Sequence, residues 1–333
     1  MFYRTENGTV SILAETGMAK DIAVPKGQTI KVAENAAGMA AIVTWGEDST
    51  AGILICDPAT GKTVWSLDGI FYDCGWLDDA TLWSSDGKTI KLHSDQGKKQ
   101  VELCTYSRVP YGPLDLRASP AGTVLGFLRW QGDHRKPGFV LLDSMEYLKS
   151  KHSCHTMSFR NENEAICGHG GAIYNLDIKT DSKKVLLAST AKLLAQKRHQ
   201  DSFELDNLRS VLNDPTCSVD HLENPVEVDG RIYFSSFVCA ANRKCVSLVS
   251  TDAHFDDLHV HLQFNQGLVQ SIRIAGKGNY VAMRLWPNPL VKEKLAPGWY
   301  FLNDGLSGYL EDAEPSNMAN PVHKSSLVEY SRR

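Results

Sequence analysis

The chain has 333 residues, of which 42% are apolar and 22% are charged, and its formal net charge is −4. This composition is that of a globular protein with a large core, and the negative balance excludes a protein that holds nucleic acid or anionic membrane over its whole surface. The first residues lack the apolar core of a secretory signal, and no apolar run is long enough to span a membrane. We therefore expect a cytoplasmic protein whose eight cysteines are buried free thiols.

The first predicted elements form a hairpin of a type that recurs along the chain. An apolar alternating strand ends at a polar residue, a short turn of Asp, Gly, Ser or Lys follows, and a second strand returns. ILICDPATGKTVWSLDG (53–69) is the clearest copy, and the spacing of copies is irregular mainly before the sixth. The polar residues that close the first strand of each copy are Glu6, Asp57, Ser94, Asp143, Asp177, Ser250 and Asn303.

A further pair of strand-like runs precedes each hairpin, as in TIKVAENAAGMAAIVTW (29–45). Four strands per unit in seven units predict an all-β fold, a seven-bladed β-propeller in a single domain, 1–333, with six blades or an irregular seventh as the alternative. The last residues, 320–333, would pair with the first hairpin in one blade, which closes the ring and removes exposed sheet edges.

Two copies carry a resemblance to known repeats. LICDPATGKTVWSLDG (54–69) resembles the repeat of the quinoprotein-type propellers, in which a Thr-Gly turn precedes a tryptophan that docks neighbouring blades. AIYNLDIKTDSKKVLL (172–187) is similar to the WD40 and YVTN-type repeats. The resemblance implies the fold of the β-propeller superfamily over most of the chain, and it implies no particular activity.

The long connections are predicted to fall on one face of the propeller, which carries the links between second and third strands and between blades. Because long loops on a rigid scaffold are where function usually resides, we predict that this long-loop face is the functional one. The predicted long loops are 107–115, 131–138, 190–225, 239–244, 287–298 and 313–321.

The segment 190–225 is predicted to be a helical insertion between blades. Leu205, Leu208 and Leu212 recur at the spacing of one helix face, and the basic residues Lys197 and Arg198 precede them. The leucines either cover apolar surface of the propeller itself or form a docking element for a partner protein.

The histidines suggest no metal centre. His155 and His169 flank a turn, so two paired strands would bring them close together, and His259 and His261 share one face of a strand. We interpret all four as ordinary strand residues, since no zinc-binding spacing accompanies them. The sequence contains no motif of nucleophilic catalysis and no phosphate-binding glycine loop, and we predict no catalytic residue, metal or cofactor.

Three of the seven tryptophans, Trp45, Trp130 and Trp286, each end a second strand just before the long-loop face. Packing between blades is the favoured interpretation. A tryptophan that points into the mouth of the central channel would instead offer an aromatic anchor, and Trp130 has the polar neighbours Arg129, His134 and Arg135.

These observations predict a protein–protein interaction scaffold that uses the long-loop face and the 190–225 insertion and binds no nucleic acid. The alternative is a lactonase-like hydrolase or a quinoprotein-like enzyme, which needs a divalent ion or redox cofactor at the channel mouth, where Asp115 and Asp220 are the closest acidic residues. The predicted partner-binding residues are Arg129, Trp130, His134, Arg135, Lys197, Arg198, Leu205, Leu208, Leu212 and Trp286.

Overall fold

Strands dominate the fold, as expected. A computed structural model describes residues 2–6, 9–13, 19–24, 28–35, 37–45, 51–105, 114–131, 134–194, 198–199, 203–265, 269–277, 280–287, 298–303, 306–311 and 324–329. The chain divides into two compact units: unit 1 contains Met1–Lys149 and Leu310–Leu327, and unit 2 contains Ser150–Tyr309 and Val328–Arg333.

The sheets of residues 1–149 are antiparallel, and their strands follow chain order. The first has three strands, β1 (Phe2–Glu6), β2 (Thr9–Leu13) and β3 (Ala19–Ala23). Three four-stranded sheets follow. Their strands are β4 (Gln28–Glu34), β5 (Ala40–Trp45), β6 (Gly52–Asp57) and β7 (Lys62–Asp68); β8 (Asp73–Trp76), β9 (Leu82–Ser85), β10 (Thr89–Ser94) and β11 (Lys99–Thr105); and β12 (Leu114–Ala118), β13 (Val124–Gln131), β14 (His134–Leu141) and β15 (Glu146–Lys149).

After residue 149 the same pattern continues with a four-stranded sheet of β16 (Thr156–Phe159), β17 (Glu164–His169), β18 (Ala172–Asp177) and β19 (Lys183–Leu187). The next sheet has the order β20-β24-β23-β22-β21, and β20 joins its outer edge in parallel. Its strands are β20 (Arg198–His199), β21 (Val219–Val228), β22 (Arg231–Ala240), β23 (Arg243–Asp252) and β24 (Asp257–Asn265). Two helices, α1 (Thr190–Leu194) and α2 (Phe203–Leu212), precede β21 in the chain.

The last sheet runs in the order β25-β26-β27-β28-β29. Its strands are β25 (Val269–Lys277), β26 (Tyr280–Pro287), β27 (Gly298–Asn303), β28 (Leu306–Glu311) and β29 (Lys324–Glu329). In this order the neighbour of β29 is β28, a strand outside the first hairpin. Pairing of residues 320–333 with the first hairpin therefore stays a prediction, as does the count of seven blades. In the described part of the chain, neither helix has the length and apolar character that crossing a membrane requires.

The recurring polar residue of the hairpins has a local structural cause. The Asp57 carboxylate accepts hydrogen bonds from the Ala59 N–H and the Thr60 hydroxyl, and Gly61 has a φ of 68°. Asp177 repeats the arrangement with Thr180, whose backbone and side-chain donors hold the pKa of the Asp177 carboxyl below its usual value. A short acidic side chain at this point therefore fixes the turn between the third and fourth strands.

The core lies between successive sheets. Ile53 and Ile55 of β6 pack with Cys74 of β8 and Leu82 of β9 in one fully buried cluster. Among the described residues seven cysteines are free thiols, of which five are buried as predicted, whereas Cys217 and Cys239 are partly exposed. The outer strands end the core: Val64 of β7, Val101 of β11 and Val185 of β19 are exposed, and lysine begins each of these strands, as is common on protected sheet edges.

Two predicted long loops are strand hairpins instead. Gln131 pairs with His134 and Ala240 with Arg243, so residues 131–138 and 239–244 consist mostly of strand. There β13, β14, β22 and β23 continue past the apolar core with polar residues. Such polar strand ends were predicted to be loops. The predicted insertion is also shorter than 190–225, because β21 begins at Val219.

Candidate functional site

The strongest candidate surface is the end of the β13–β14 hairpin, residues 129–131 and 134–136, which we call the hairpin tip. Trp130 and Arg135 lie opposite each other in the register, and the Arg135 guanidinium carbon is 4.9 Å from the centroid of the Trp130 ring. Both are half-buried, whereas Gln131 and His134 are exposed. The structure therefore assembles the predicted anchor of Trp130 with its cationic neighbours on two rigid strands.

The hairpin tip concentrates positive charge in a chain of net charge −4. Arg129 lies directly opposite Lys136, and its Nη1 atom donates a hydrogen bond to Gln131 Oε1 at 3.0 Å. Like charges on directly opposite residues of an antiparallel pair repel each other. Asp133, in the turn, lies outside the described residues.

The leucine stripe of α2 has a different environment. Leu205 and Leu208 are fully buried, and Leu212 packs against the apolar cluster that contains Leu208. Leu205 meets Phe234 and Leu258 of the adjacent sheet. These leucines cover apolar surface of their own unit, which is the first of the two interpretations that the sequence left open.

Arg243 fixes α2 onto the sheet. From the start of β23 its guanidinium donates to Ser210 Oγ at 2.8 Å and to Asn207 Oδ1 at 2.9 Å, both on α2. Phe203, at the first position of α2, is 78% exposed. Lys197 and the side chains of Arg198 and Trp286 lie outside the described residues.

The prediction that His155 and His169 lie close together is confirmed. The rings of His155 and His169 are 4.6 Å apart and nearly perpendicular, so the two paired strands do bring them together. No set of three or more His, Cys, Asp or Glu side chains within the described ranges is arranged to hold a metal ion.

Two serine–histidine pairs were not recognised in the sequence. Ser84 Oγ is 2.7 Å from His93 Nε2, and Ser250 Oγ is 2.7 Å from His261 Nε2. Both distances are short enough for a base to activate a nucleophile. Both serines are fully buried, so a substrate has no path to either hydroxyl, and the pairs act as interior hydrogen bonds.

Arg231 joins the second pair to a carboxylate. Its guanidinium donates to Ser250 Oγ and to Asp257 Oδ2, and His259 lies 2.9 Å from Asp257 Oδ1. Burial opposes ionisation of Asp257, but the hydrogen bond from Arg231 and the nearby positive charges outweigh it, so the pKa of this carboxyl lies below its usual value. The network therefore joins β22, β23 and β24 electrostatically.

Comparison with solved structures identifies the fold. The chain is similar to oligogalacturonate lyase from Vibrio parahaemolyticus (TM-score 0.58, 8% identity, 93% of this chain and 85% of that chain covered) and to virginiamycin B lyase from Staphylococcus aureus (0.52, 11%, 85% and 87%). It is also similar to the C-terminal WD40 domain of Sif2 (0.50, 12%, 84% and 73%). The fold is that of the β-propellers. No protein-family model and no curated protein sequence matches the chain.

Within the propeller, Asp220 is engaged in local structure. Its carboxylate accepts the backbone N–H groups of Thr190 and Ala191 at 2.7 and 3.1 Å and so caps α1. The side chain of Asp115, the other acidic residue proposed for the channel mouth, lies outside the described residues. Trp45 fulfils the packing role favoured for it, since its indole N–H donates to the Phe71 carbonyl at 2.6 Å.

Proposed function

We propose that this propeller is a non-catalytic protein-interaction module whose hairpin tip makes the main contact with a partner protein. The observation that carries the proposal is the Trp130–Arg135 pair, which is half-buried on two paired strands beside further cations. Tryptophan and arginine are enriched among the residues that dominate binding energy at interfaces. Their position on strands, rather than on a loop, reduces the entropy lost on binding.

The proposal includes features that the sequence alone supports. We infer a closed ring of seven blades and a cytoplasmic location. A second contact would lie in the 190–225 segment, through Lys197 and Arg198 rather than through the buried leucines, and Trp286 would contribute a third. The hairpin tip is cationic although the whole chain carries a net negative charge. A cationic tip favours an acidic patch on the surface of the partner.

The alternative of an enzyme at the channel mouth gains no support from the described residues. The two serine–histidine pairs are buried, and Asp220 is occupied by backbone donors. The likeness to two lyases extends to the fold alone, because the same fold hosts unrelated activities.

The test is site-specific cross-linking in cells that produce the protein. A photoreactive amino acid is placed at Gln131, at the exposed hairpin tip, and in a matched protein at Val185, an exposed position on β19. The proposal expects an adduct with one partner protein from position 131 and none from position 185. Equal adducts from both positions, or none from position 131, would contradict it.

The partner is then purified and titrated with the wild-type chain and with Trp130→Ala. Truncation of a central interface tryptophan typically costs 2 kcal/mol or more, so we expect affinity to fall by at least ~10-fold. An unchanged affinity would show that the hairpin tip is near the partner without contributing to binding.

A further inference from the structure

A second exposed surface lies in the connection between β7 and β8, residues 69–72. Ile70 is 61% exposed and Tyr72 is 49% exposed. They are two residues apart in one short connection, and we call this pair of exposed apolar side chains the apolar ridge. Single exposed apolar residues are ordinary, but neighbouring ones on one segment are typical of contact surfaces.

Hydrogen bonds hold the ridge in place from three sides. The Tyr72 N–H donates to the Ser85 carbonyl at 2.8 Å, the Gly69 N–H donates to the Ala51 carbonyl at 3.1 Å, and the Trp45 indole donates to the Phe71 carbonyl. The exposed side chains therefore sit on a backbone that is already ordered before any partner binds. Such preorganisation lowers the entropic cost of association.

The tyrosine ring is fixed as well. Its centroid is 4.9 Å from the Trp45 ring at an interplanar angle of 81°, an edge-to-face contact. On another side the ring lies against Gly87, where an added Cβ would be only 3.1 Å from the ring atoms. Tyr72 thus presents a rigid aromatic surface to solvent, which is the type of side chain that dominates binding sites.

The charges around the ridge have the opposite sign from those of the hairpin tip. Asp68 and Asp73 flank it in sequence, and Asp86 precedes the glycine on which Tyr72 packs. The Asp86 carboxylate accepts hydrogen bonds from the backbone N–H groups of Lys88 and Thr89, and Lys88 is the one basic residue of 68–73 and 86–88. An apolar ridge within an acidic border complements a ligand that is both apolar and basic.

We propose that the apolar ridge is a second docking surface, which binds an extended peptide segment of a partner that combines lysine or arginine with apolar side chains. Ile70 and Tyr72 contact the apolar side chains, and Asp68 and Asp73 attract the basic ones. This surface is independent of the hairpin tip and of the partner proposed for it.

The test selects ligands directly. A displayed library of random dodecapeptides is panned on the full-length protein and counter-selected on Ile70→Ser, a change at an exposed side chain that leaves the packing of Tyr72 intact. We expect the enriched peptides to carry net positive charge together with leucine, isoleucine or aromatic residues. Enrichment of peptides without a basic excess, or no enrichment beyond the counter-selected protein, would overturn the proposal.

The best peptide is synthesised with a fluorescent label and titrated by anisotropy. We expect Ile70→Ser to weaken binding by ~10-fold, as for a central contact residue, and the double variant Asp68→Asn, Asp73→Asn to weaken it less and to flatten its salt dependence. Val64→Ser, at an exposed apolar position on β7, serves as the matched control that leaves affinity unchanged. Equal loss in Ile70→Ser and Val64→Ser would overturn the proposal.

Self-association is examined on the same proteins by sedimentation. If the wild-type chain dimerises and Ile70→Ser restores the monomer, the ridge is occupied by a second copy of the chain and the peptide proposal is wrong. A monomer in both cases is the result that the proposal requires.

Discussion

The hairpin tip and the α2 stripe differ in how completely the rest of the chain buries their side chains. Leu205 and Leu208 recur at helical spacing and are fully buried against the neighbouring sheet. Trp130 and Arg135 extend past the apolar core on two paired strands, contact each other and are only half-buried. Burial of an apolar stripe stabilises a helix, so the stripe packs against the nearest sheet. A cationic strand end has no comparable apolar surface to bury.

The largest effect expected from this comparison is on stability. Leu208→Ala should lower the free energy of unfolding by about 2–5 kcal/mol, because it opens a cavity in a closed cluster. Phe203→Ala on the same helix removes a side chain that is 78% exposed and should change stability by less than about 0.5 kcal/mol. Urea unfolding of both variants measures the difference. Equal losses would mean that the stripe is no more buried than the helix start.

A second prediction concerns the buried histidine His93 and the pH dependence of stability. Burial, with a smaller effect of Lys91, lowers the pKa of His93 from 6.5 to about 4. The unfolded chain therefore takes up a proton at a pH where the folded chain does not, so this histidine reduces stability as pH falls from 6.5 towards 4 and has no such effect above 6.5. One pKa unit corresponds to ~1.4 kcal/mol, which makes the full loss about 3 kcal/mol.

His93→Gln keeps a hydrogen-bonding group near Ser84 and cannot titrate. Urea unfolding between pH 4 and 7 should show a shallower pH dependence for this variant than for the wild-type chain, with the two curves differing most at the acidic end. Parallel curves would show that His93 is protonated in the folded protein.

The third prediction concerns the attachment of α2. Arg243→Ala removes the hydrogen bonds to Ser210 and Asn207 and should cost about 1–2 kcal/mol. Arg209→Ala, which breaks an exposed pair with Asp206 within the same helix, should cost less than about 0.5 kcal/mol. If thermal or urea unfolding ranks the two arginines in the reverse order, the anchoring role of Arg243 is wrong.

The smallest effect has the opposite sign. Lys136→Glu places a negative charge directly opposite Arg129 and should raise stability by roughly 0.2–1 kcal/mol, since a repulsive cross-strand pair becomes attractive. The same change should weaken binding of the cross-linked partner. A variant that is less stable, or that binds more tightly, would contradict the view that the tip is charged for recognition.

Much of the fold follows from local pattern. The alternation of apolar residues and the turn chemistry of Asp57 and Asp177 located the hairpins, because a short acidic side chain fixes the turn wherever it occurs. The pattern was less informative where strands continue beyond the core, as at residues 131–138, since polar side chains on both faces look the same in a strand and in a loop.

The sites were harder to predict for a related reason. Sequence spacing placed Trp130 near Arg135 correctly, but it also included the α2 leucines among the predicted partner-binding residues. Spacing does not tell which surface covers an apolar stripe. Ile70 and Tyr72 were missed because their exposure depends on the turn geometry of the following sheet and on the contact with Gly87. Exposure is a property of the assembled sheets, so no local signal carries it.

The most direct measurement is the dissociation constant of the cross-linked partner for four folded proteins: the wild-type chain, Trp130→Ala, Arg135→Ala and Val185→Ser. The account predicts that Trp130→Ala weakens binding by at least ~10-fold, that Arg135→Ala weakens it by a smaller factor, and that Val185→Ser has no effect. Equal affinity of all four proteins would contradict the central claim that the hairpin tip is the surface that binds the partner.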